Sequence, residues 1–259
     1  MPSPPRILTI AGSDSSGGAG VQADIKTITV MGGYAMSAIT AVTAQDTAGV
    51  HAIEVLPAAL VAAQIDACIG DIGVDAVKIG MLGSAEIAGM VADRLARMTV
   101  PIVFDPVMVA TSGAALADQE TMAAFERLIA LATLVTPNLP ELAALGGEAR
   151  LAARARAVLV KGGHGEGDVL IDRLIDASRE LARWQDGRID TRHTHGSGCT
   201  LAAAIATGLG GGIGLADAIA QARSYVRAAI SAAPGFGKGH GPMGVGWNAV
   251  PSRQKYFQP

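Results

Sequence analysis

Short apolar runs alternate with helix-length stretches almost from the start of the chain, and this alternation restricts the fold more than any other feature. Arg6–Ala11, Ser37–Ala44, Ala76–Gly80, Pro101–Asp105, Leu134–Thr136 and Val158–Lys161 read as strands. Between and after them, Ala19–Met31, Ala58–Ile69, Ser84–Met98, Asp118–Leu131, Pro140–Leu145, Leu201–Leu209 and Leu215–Ile230 carry helical spacing. In the second of these helices, Leu60, Ile65 and Ile69 fall within reach of one face. Strands this apolar must be covered on both sides, which points to a mostly parallel sheet between two helical layers. No linker, repeat or low-complexity tract interrupts the pattern, so residues 1–259 are expected to form one domain. The tail Ser252–Pro259 carries no pattern.

Aromatic residues make up only 3% of the chain although 50% is hydrophobic, so Ala, Val, Ile and Leu must build the core. A net charge of −3 offers no basic field for nucleic acid. Cys68 and Cys199 are too few and too far apart to suggest a disulfide framework. The N-terminus lacks the basic and apolar regions of a signal peptide, and no window has the length of a membrane span. A soluble cytoplasmic protein without membrane or nucleic-acid partners is the expectation.

In such sheets, ligands bind beyond the carboxyl ends of the strands. Those ends read Gly12–Gly18, Gln45–Asp46, Gly80–Met81, Asp105–Pro106, Thr136–Asn138 and Lys161–Gly163. Polar, glycine-rich loops account for the glycines. They account less well for Asp105, Asn138 and Lys161, three groups suited to phosphate or magnesium at equivalent strand ends. The segment His195-Gly-Ser-Gly-Cys-Thr200 precedes an alanine-rich helix. Two glycines at a helix start leave N–H groups free for an anion, and a cysteine in that first turn is expected to favour thiolate. A plain loop into a buried helix fits the glycines as well.

Other motifs divide similarly. No Gly-Lys-Ser/Thr ending completes a P-loop, and Gly17–Gly20 has the wrong spacing for a dinucleotide fingerprint. His193, His195 and Cys199 lack an obvious fourth zinc ligand, and nearness in sequence does not make His195 and Cys199 a hydrolase pair. Asn138-Leu-Pro-Glu141 is either a helix-capping arrangement or a pair facing phosphates through magnesium and its waters. Gln45 is either a wetted strand end or an amide complementary to a ring nitrogen beside an exocyclic amine. Met81 and Val107 are either core residues or walls of a flat-ring pocket.

Taken in order, Ile10–Asp24, Val42–Gln45, Lys78–Met81, Asp105–Met108, Thr136–Glu141, Val160–His164, Thr194–Thr200 and Gly237–Pro242 resemble one family over nearly the whole chain. They look like the hydroxymethylpyrimidine/phosphomethylpyrimidine kinases of thiamine biosynthesis, within the ribokinase-like superfamily. The resemblance implies a three-layer αβα fold, a homodimer and two ATP- and Mg²⁺-dependent phosphorylations, with a monovalent cation compatible. The first acts on 4-amino-5-hydroxymethyl-2-methylpyrimidine and the second converts its monophosphate to the diphosphate.

Carried onto this chain, the resemblance gives Gln45 the aminopyrimidine edge. Gly12, Asp24 and Val42 frame the pocket, with Met81 and Val107 against the ring. Asp105, Asn138 and Glu141 manage magnesium and phosphate, Asp105 and Glu141 nearest the metal, and Thr194 lies beside the nucleotide. Lys161 neutralises phosphate charge, Gly196, Ser197, Gly198 and Cys199 form the anion hole, and Cys199 accepts the proton. Ser197 stands where the family more often has Thr. Gly146–Arg156 is shorter than usual, as though a helix had been trimmed. A pyridoxal or pyridoxine kinase on the same scaffold is the nearest rival, and a non-catalytic pyrimidine or nucleotide sensor the rival from another class. Gln45 disfavours the first, since pyridoxal lacks an amine beside a ring nitrogen. An intact Asp105, Glu141, Lys161 and Cys199 disfavours the second.

Overall fold

Alternation along the strands divides the core in two. In the computed structural model, which describes residues 3–108, 116–164 and 167–246, strand β1 (Arg6–Asp14) sends Leu8 and Ile10 to one face of the sheet and Ile7 to the other. Strand β4 (Ala76–Ile79) splits in the same way, Val77 and Ile79 against Ala76. This period of two, applied to strands buried on both faces, gives one apolar layer above the sheet and another below it.

The strands join into one nine-stranded sheet among the described residues. The remaining members are β2 (Tyr34–Gln45), β3 (Val50–Val55), β5 (Ile102–Phe104), β6 (Leu134–Val135), β7 (Val158–Val160), β8 (Val169–Ile175) and β9 (Glu180–Gly187), in the order β3-β2-β1-β4-β5-β6-β7-β8-β9. The six central strands, β2 to β7 in that order, run parallel; β3 at one edge and β8 and β9 at the other are antiparallel. The sequence reading found the six parallel strands and missed the three antiparallel ones. Their residues alternate and stay largely exposed, so they lack the continuous apolar runs that betray a central strand.

Helices α2 (Ala58–Ala67), α3 (Ala85–Leu95) and α4 (Gln119–Leu131) cover one face, and α1 (Gly20–Val30), α7 (Ser197–Gly210) and α8 (Leu215–Ser231) cover the other. Helix α3 starts where Ser84 Oγ accepts from the Ile87 N–H at 3.2 Å, and α4 where Asp118 Oδ1 accepts from the Thr121 N–H at 2.8 Å. In α2 the buried face is Ala58, Val61, Ala62 and Ile65; Leu60, expected inside, is 49% exposed, and Cys68–Ile72 continues the helix as a π-helical turn. Short helices α5 (Leu139–Ala144) and α6 (Glu148–Ala152) lie between β6 and β7. The segment expected to have lost its helix therefore retains a five-residue one. Leu151 and Ala152 are buried there, Arg154 donates to Leu145 O at 2.8 Å, and Glu148 pairs with Arg173 of β8.

Helix α7 runs down the middle of its layer. Leu201 to Gly208 are all buried. Alanine and glycine make this possible, since large side chains would hold the helix away from the sheet; a Cβ on Gly210 would lie 2.6 Å from Ile7 Cδ1. No helix among the described residues is long and apolar enough to cross a membrane.

Candidate active site

The chain turns to opposite sides of β1 on leaving it for β2 and on reaching β4, and polar groups gather at the carboxyl ends of the parallel strands on both sides of that switch point. Strand β1 bulges between Ala11 and Ser13. Gly12 there leaves room for Met81, whose Cε would lie 2.6 Å from any Cβ added at Gly12. Met81 is 8% exposed, and its carbonyl accepts from Thr40 Oγ1 at 2.6 Å. Val42 is 46% exposed at the rim, and Val107 is half-buried after β5.

Two loops dock to build the floor. Gly196 has φ +80°, and a Cβ there would strike the carbonyl oxygen of Gly18, while a Cβ on Gly18 would strike the His195 ring. Only glycines allow the β1–α1 loop and the start of α7 to touch in this way. The contact buries His195 beside Asp14, with Nε2 2.8 Å from Asp14 Oδ2. Asp14 also accepts from the Ser16 N–H and Ala19 N–H, both at 2.8 Å, and from Ser16 Oγ at 3.0 Å. Burial opposes the Asp14 charge, but His195 and these donors outweigh it and hold the carboxyl down at about 2. Gln45, half-buried at the end of β2, places Nε2 3.5 Å from His195 Nε2 and Oε1 3.1 Å from Thr43 Oγ1.

Asp24 is not at the pocket wall. It is fully buried, with Oδ2 2.8 Å from Lys78 Nζ and 2.5 Å from Thr9 Oγ1. The sequence placed it beside substrate; the structure places it behind Cys199, on the inward face of α1. Burial opposes the Lys78 charge, but Asp24, Cys199 and Asp105 together hold that ammonium above its usual range.

The second half of the site lies over β5, β6 and β7. Asp105 Oδ1 accepts from Lys161 Nζ and from Thr136 Oγ1, both at 2.9 Å. Gly198, in the first turn of α7, stands over this pair: an added Cβ would be 3.4 Å from Asp105 Oδ2 and 3.5 Å from Lys161 Nζ. Asn138 and Glu141 form a complete capping box, with the Glu141 N–H donating to Asn138 Oδ1 and the Asn138 N–H to Glu141 Oε2, each at 2.8 Å. The capping reading of these two residues therefore holds. Glu141 is also buried, which pushes its carboxyl up to about 7; Lys161 opposes the shift and the neighbouring Asp105 charge adds to it. Two carboxylates around one lysine leave this corner short of positive charge. Among the described residues, no three His, Cys, Asp or Glu side chains come together as a metal-ligand set. Two carboxylates fit Mg²⁺, which keeps several of its waters.

The anion hole differs from expectation in one donor. The Ser197 N–H is already used, donating to Thr194 O at 3.1 Å. The N–H groups of Gly196, Gly198 and Cys199 have no hydrogen-bond partner among the described residues and remain available at the positive end of α7. Thr194 thus shapes the turn through its carbonyl.

Cys199 overturns a second expectation. Burial pushes its thiol up to about 11, and the Asp24 and Asp105 charges add to the shift, while Lys78 and the Gly20 N–H that donates to the sulfur oppose it. The neighbouring protein and two carboxylates outweigh the helix start here, although Cys199 is only partly buried.

Known proteins decide what such a site belongs to. A family model described as phosphomethylpyrimidine kinase matches residues 14–244. A hydroxymethylpyrimidine/phosphomethylpyrimidine kinase of Rhizobium meliloti is 49% identical over 91% of this chain and 95% of its own length. The chain belongs to the phosphomethylpyrimidine kinase family. A second member, from Streptomyces coelicolor, is 46% identical over 94% of this chain and 95% of its own.

Solved structures place the family in the ribokinase-like fold. A phosphomethylpyrimidine kinase of Clostridium difficile superposes with a TM-score of 0.74 at 38% identity, covering 87% of this chain and 99% of its own. Bacillus subtilis pyridoxal kinase, solved with ADP, superposes with a TM-score of 0.86 at 32% identity, covering 95% and 99%. This kinase therefore shares its scaffold with enzymes of both vitamins, and relatives in sequence carry the pyrimidine name.

The sequence reading gave Asp14, Thr43, Lys78 and Thr136 no role in the site and weighed His195 only as a metal ligand or a hydrolase partner. One of them was detectable: a lysine inside the otherwise apolar Ala76–Gly80 strand demands a buried carboxylate.

Proposed function

We propose that this kinase phosphorylates 4-amino-5-hydroxymethyl-2-methylpyrimidine and then the resulting monophosphate, in thiamine diphosphate biosynthesis. The observation that carries the substrate is Gln45, an amide at the rim of β2 beside Gly12 and Met81, able to read a ring nitrogen and its neighbouring amine together. ATP supplies the phosphoryl group, and Mg²⁺ when bound lowers the charge repulsion around it. The Gly196, Gly198 and Cys199 N–H groups hold the oxygens of the moving phosphoryl group, and Lys161 neutralises their charge. Asp105 and Glu141 are the carboxylates that hold the metal through its waters. Met81 and Val107 flank the ring, with Val42 at the rim. Phosphoryl transfer is loose, so these residues act by positioning and by charge.

Cys199 is the proton acceptor in this reading, and only its thiolate, the minor form at neutral pH, can take the proton from the substrate hydroxyl and become the thiol. One consequence can be measured directly. A thiol raised from 9.0 to about 11 carries about 100-fold less thiolate at neutral pH than an ordinary one. Alkylation of Cys199 by iodoacetamide, followed by mass spectrometry, should be slow at pH 7.5 and accelerate tenfold per pH unit up to about 11. Rapid labelling below pH 8 would show that the thiolate is stabilised after all.

Apolar residues exposed on the β2–β3 edge, Val42, Ile53 and Val55, support a homodimer. One domain comprising residues 1–259 and working in the cytoplasm completes the reading. Coupled ADP release with each candidate alcohol tests it. Turnover of hydroxymethylpyrimidine and of its monophosphate is expected; rapid turnover of pyridoxal with neither pyrimidine would transfer the assignment to a pyridoxal kinase. No ADP release with any of them would leave a sensor.

A further inference from the structure

Two contacts of Gln45 conflict with the amide as it stands, and both are repaired by one half-turn. Asp14 is ionised and already accepts from Ser16 and Ala19, so the imidazole nitrogen 2.8 Å from its Oδ2 carries a proton. That holds for the neutral ring and for the cation. The Gln45 NH₂ at 3.5 Å therefore faces a second donor. On its other side, Thr43 Oγ1 lies 3.0 Å from Ser13 O and 3.1 Å from Gln45 Oε1. A hydroxyl has one proton, and Ser13 O can only accept, so the Gln45 atom facing Thr43 is left against a lone pair. Amide oxygen and nitrogen are assigned from such networks. Rotating the amide turns its oxygen, in place of a second donor, toward the Nε2–H that His195 gives to Asp14, and gives Thr43 Oγ1 a donor.

We infer that Asp14 and His195 act as positioning residues that fix which way round Gln45 presents its amide, and so set the donor–acceptor order of the ring edge the pocket accepts. Asp14 holds the proton on Nε2. That N–H repels the amide NH₂ and leaves Oε1 on the His195 side, and Thr43 takes one hydrogen of Nε2. One lone pair of Oε1 and one hydrogen of Nε2 remain for the ligand, in a fixed order. An aminopyrimidine, with an acceptor ring nitrogen beside a donor amine, matches that order in one orientation. The analogue with a carbonyl in place of the amine offers a ring N–H beside an acceptor and matches the reverse. The docked glycines make the device rigid, because His195 lies against Gly18 and cannot retreat.

The inference rests on Gln45 reading the substrate ring, so its test separates the two. In 15N-histidine-labelled wild-type protein, His195 Nε2 should be protonated at pH 8, and the Gln45 side-chain NH₂ should give stronger cross-relaxation to Thr43 than to the His195 ring. An unprotonated Nε2, or an NH₂ closer to His195, would overturn the inference whatever the substrate is. In kinetics, the ratio of kcat/KM for the aminopyrimidine alcohol over its carbonyl analogue is the readout. His195→Leu should lower that ratio by about 10-fold, and His195→Gln, which keeps a donor near Nε2, should restore most of it. Equal loss on both substrates, with the ratio intact, would make His195 merely structural. Should His195→Leu fail to fold by circular dichroism, Asp14→Asn releases the same proton and is held to the same ratio. A wild-type enzyme that turns over neither pyrimidine sinks the substrate reading, while the nuclear magnetic resonance result still decides the orientation of Gln45.

Discussion

Replacing Lys78 with methionine is expected to cost about 3–5 kcal/mol of stability, because it strands the Asp24 charge in the core. Both side chains are fully buried, 2.8 Å apart, and Thr9 supplies the one further hydrogen bond to Asp24 Oδ2. Asp24 Oδ1 has no partner among the described residues, so none of them would absorb the loss. Against a total of about 5–15 kcal/mol for a domain, this is a large share. Urea unfolding measures it as a lower midpoint at constant slope. The double variant Asp24→Leu, Lys78→Met removes both charges and should recover most of the loss. A single variant as stable as the parent would mean that Asp24 takes up a proton on losing its partner. The pair therefore maintains the ground beneath Cys199 more than it stabilises the fold, since an apolar pair of similar size would hold the fold as well.

Gly196→Ala is expected to lower kcat about 100- to 1,000-fold. Two independent constraints exclude a side chain here. The backbone is in the left-handed region at φ +80°, and the added Cβ would strike Gly18 O across the loop contact. Moving Gly196 turns the first N–H groups of α7 away from the phosphoryl position. Steady-state kinetics with saturating ATP and pyrimidine alcohol, beside a thermal melt, is the measurement. A melt near that of the parent with kcat collapsed places the loss in the site; unchanged kcat would remove the three N–H groups from the reaction.

The parallel half of the fold was legible because apolar continuity and helical spacing are both written into the residues, from Arg6–Ala11 through Val158–Lys161. Strands β3, β8 and β9 were not, since an edge strand with one wet face looks like a loop to the same test. In the site, Asp105 and Lys161 could be read at their strand ends, and the structure brings them to 2.9 Å. Asp24 was misplaced because a motif fixes position along the chain but not which way a helix turns a residue. The state of Cys199 depends on hydration and on carboxylates from α1 and β5. Neither is visible from its neighbours in sequence. His195 was weighed as a metal ligand, and its contact with Asp14 joins residues 181 positions apart.

Helix α7 bears on how such a scaffold changes substrate. Its first turn presents the N–H groups proposed to hold the phosphoryl oxygens, while Leu201 to Gly208, half of them alanine, are all buried. That half of the machine has no spare volume in which variation could be tried. Gln45 and Val42, by contrast, sit at a half-open rim where replacements displace water rather than core. Divergence in specificity is thus expected at the acceptor edge, where a ring can be exchanged without repacking a helix as tightly buried as α7.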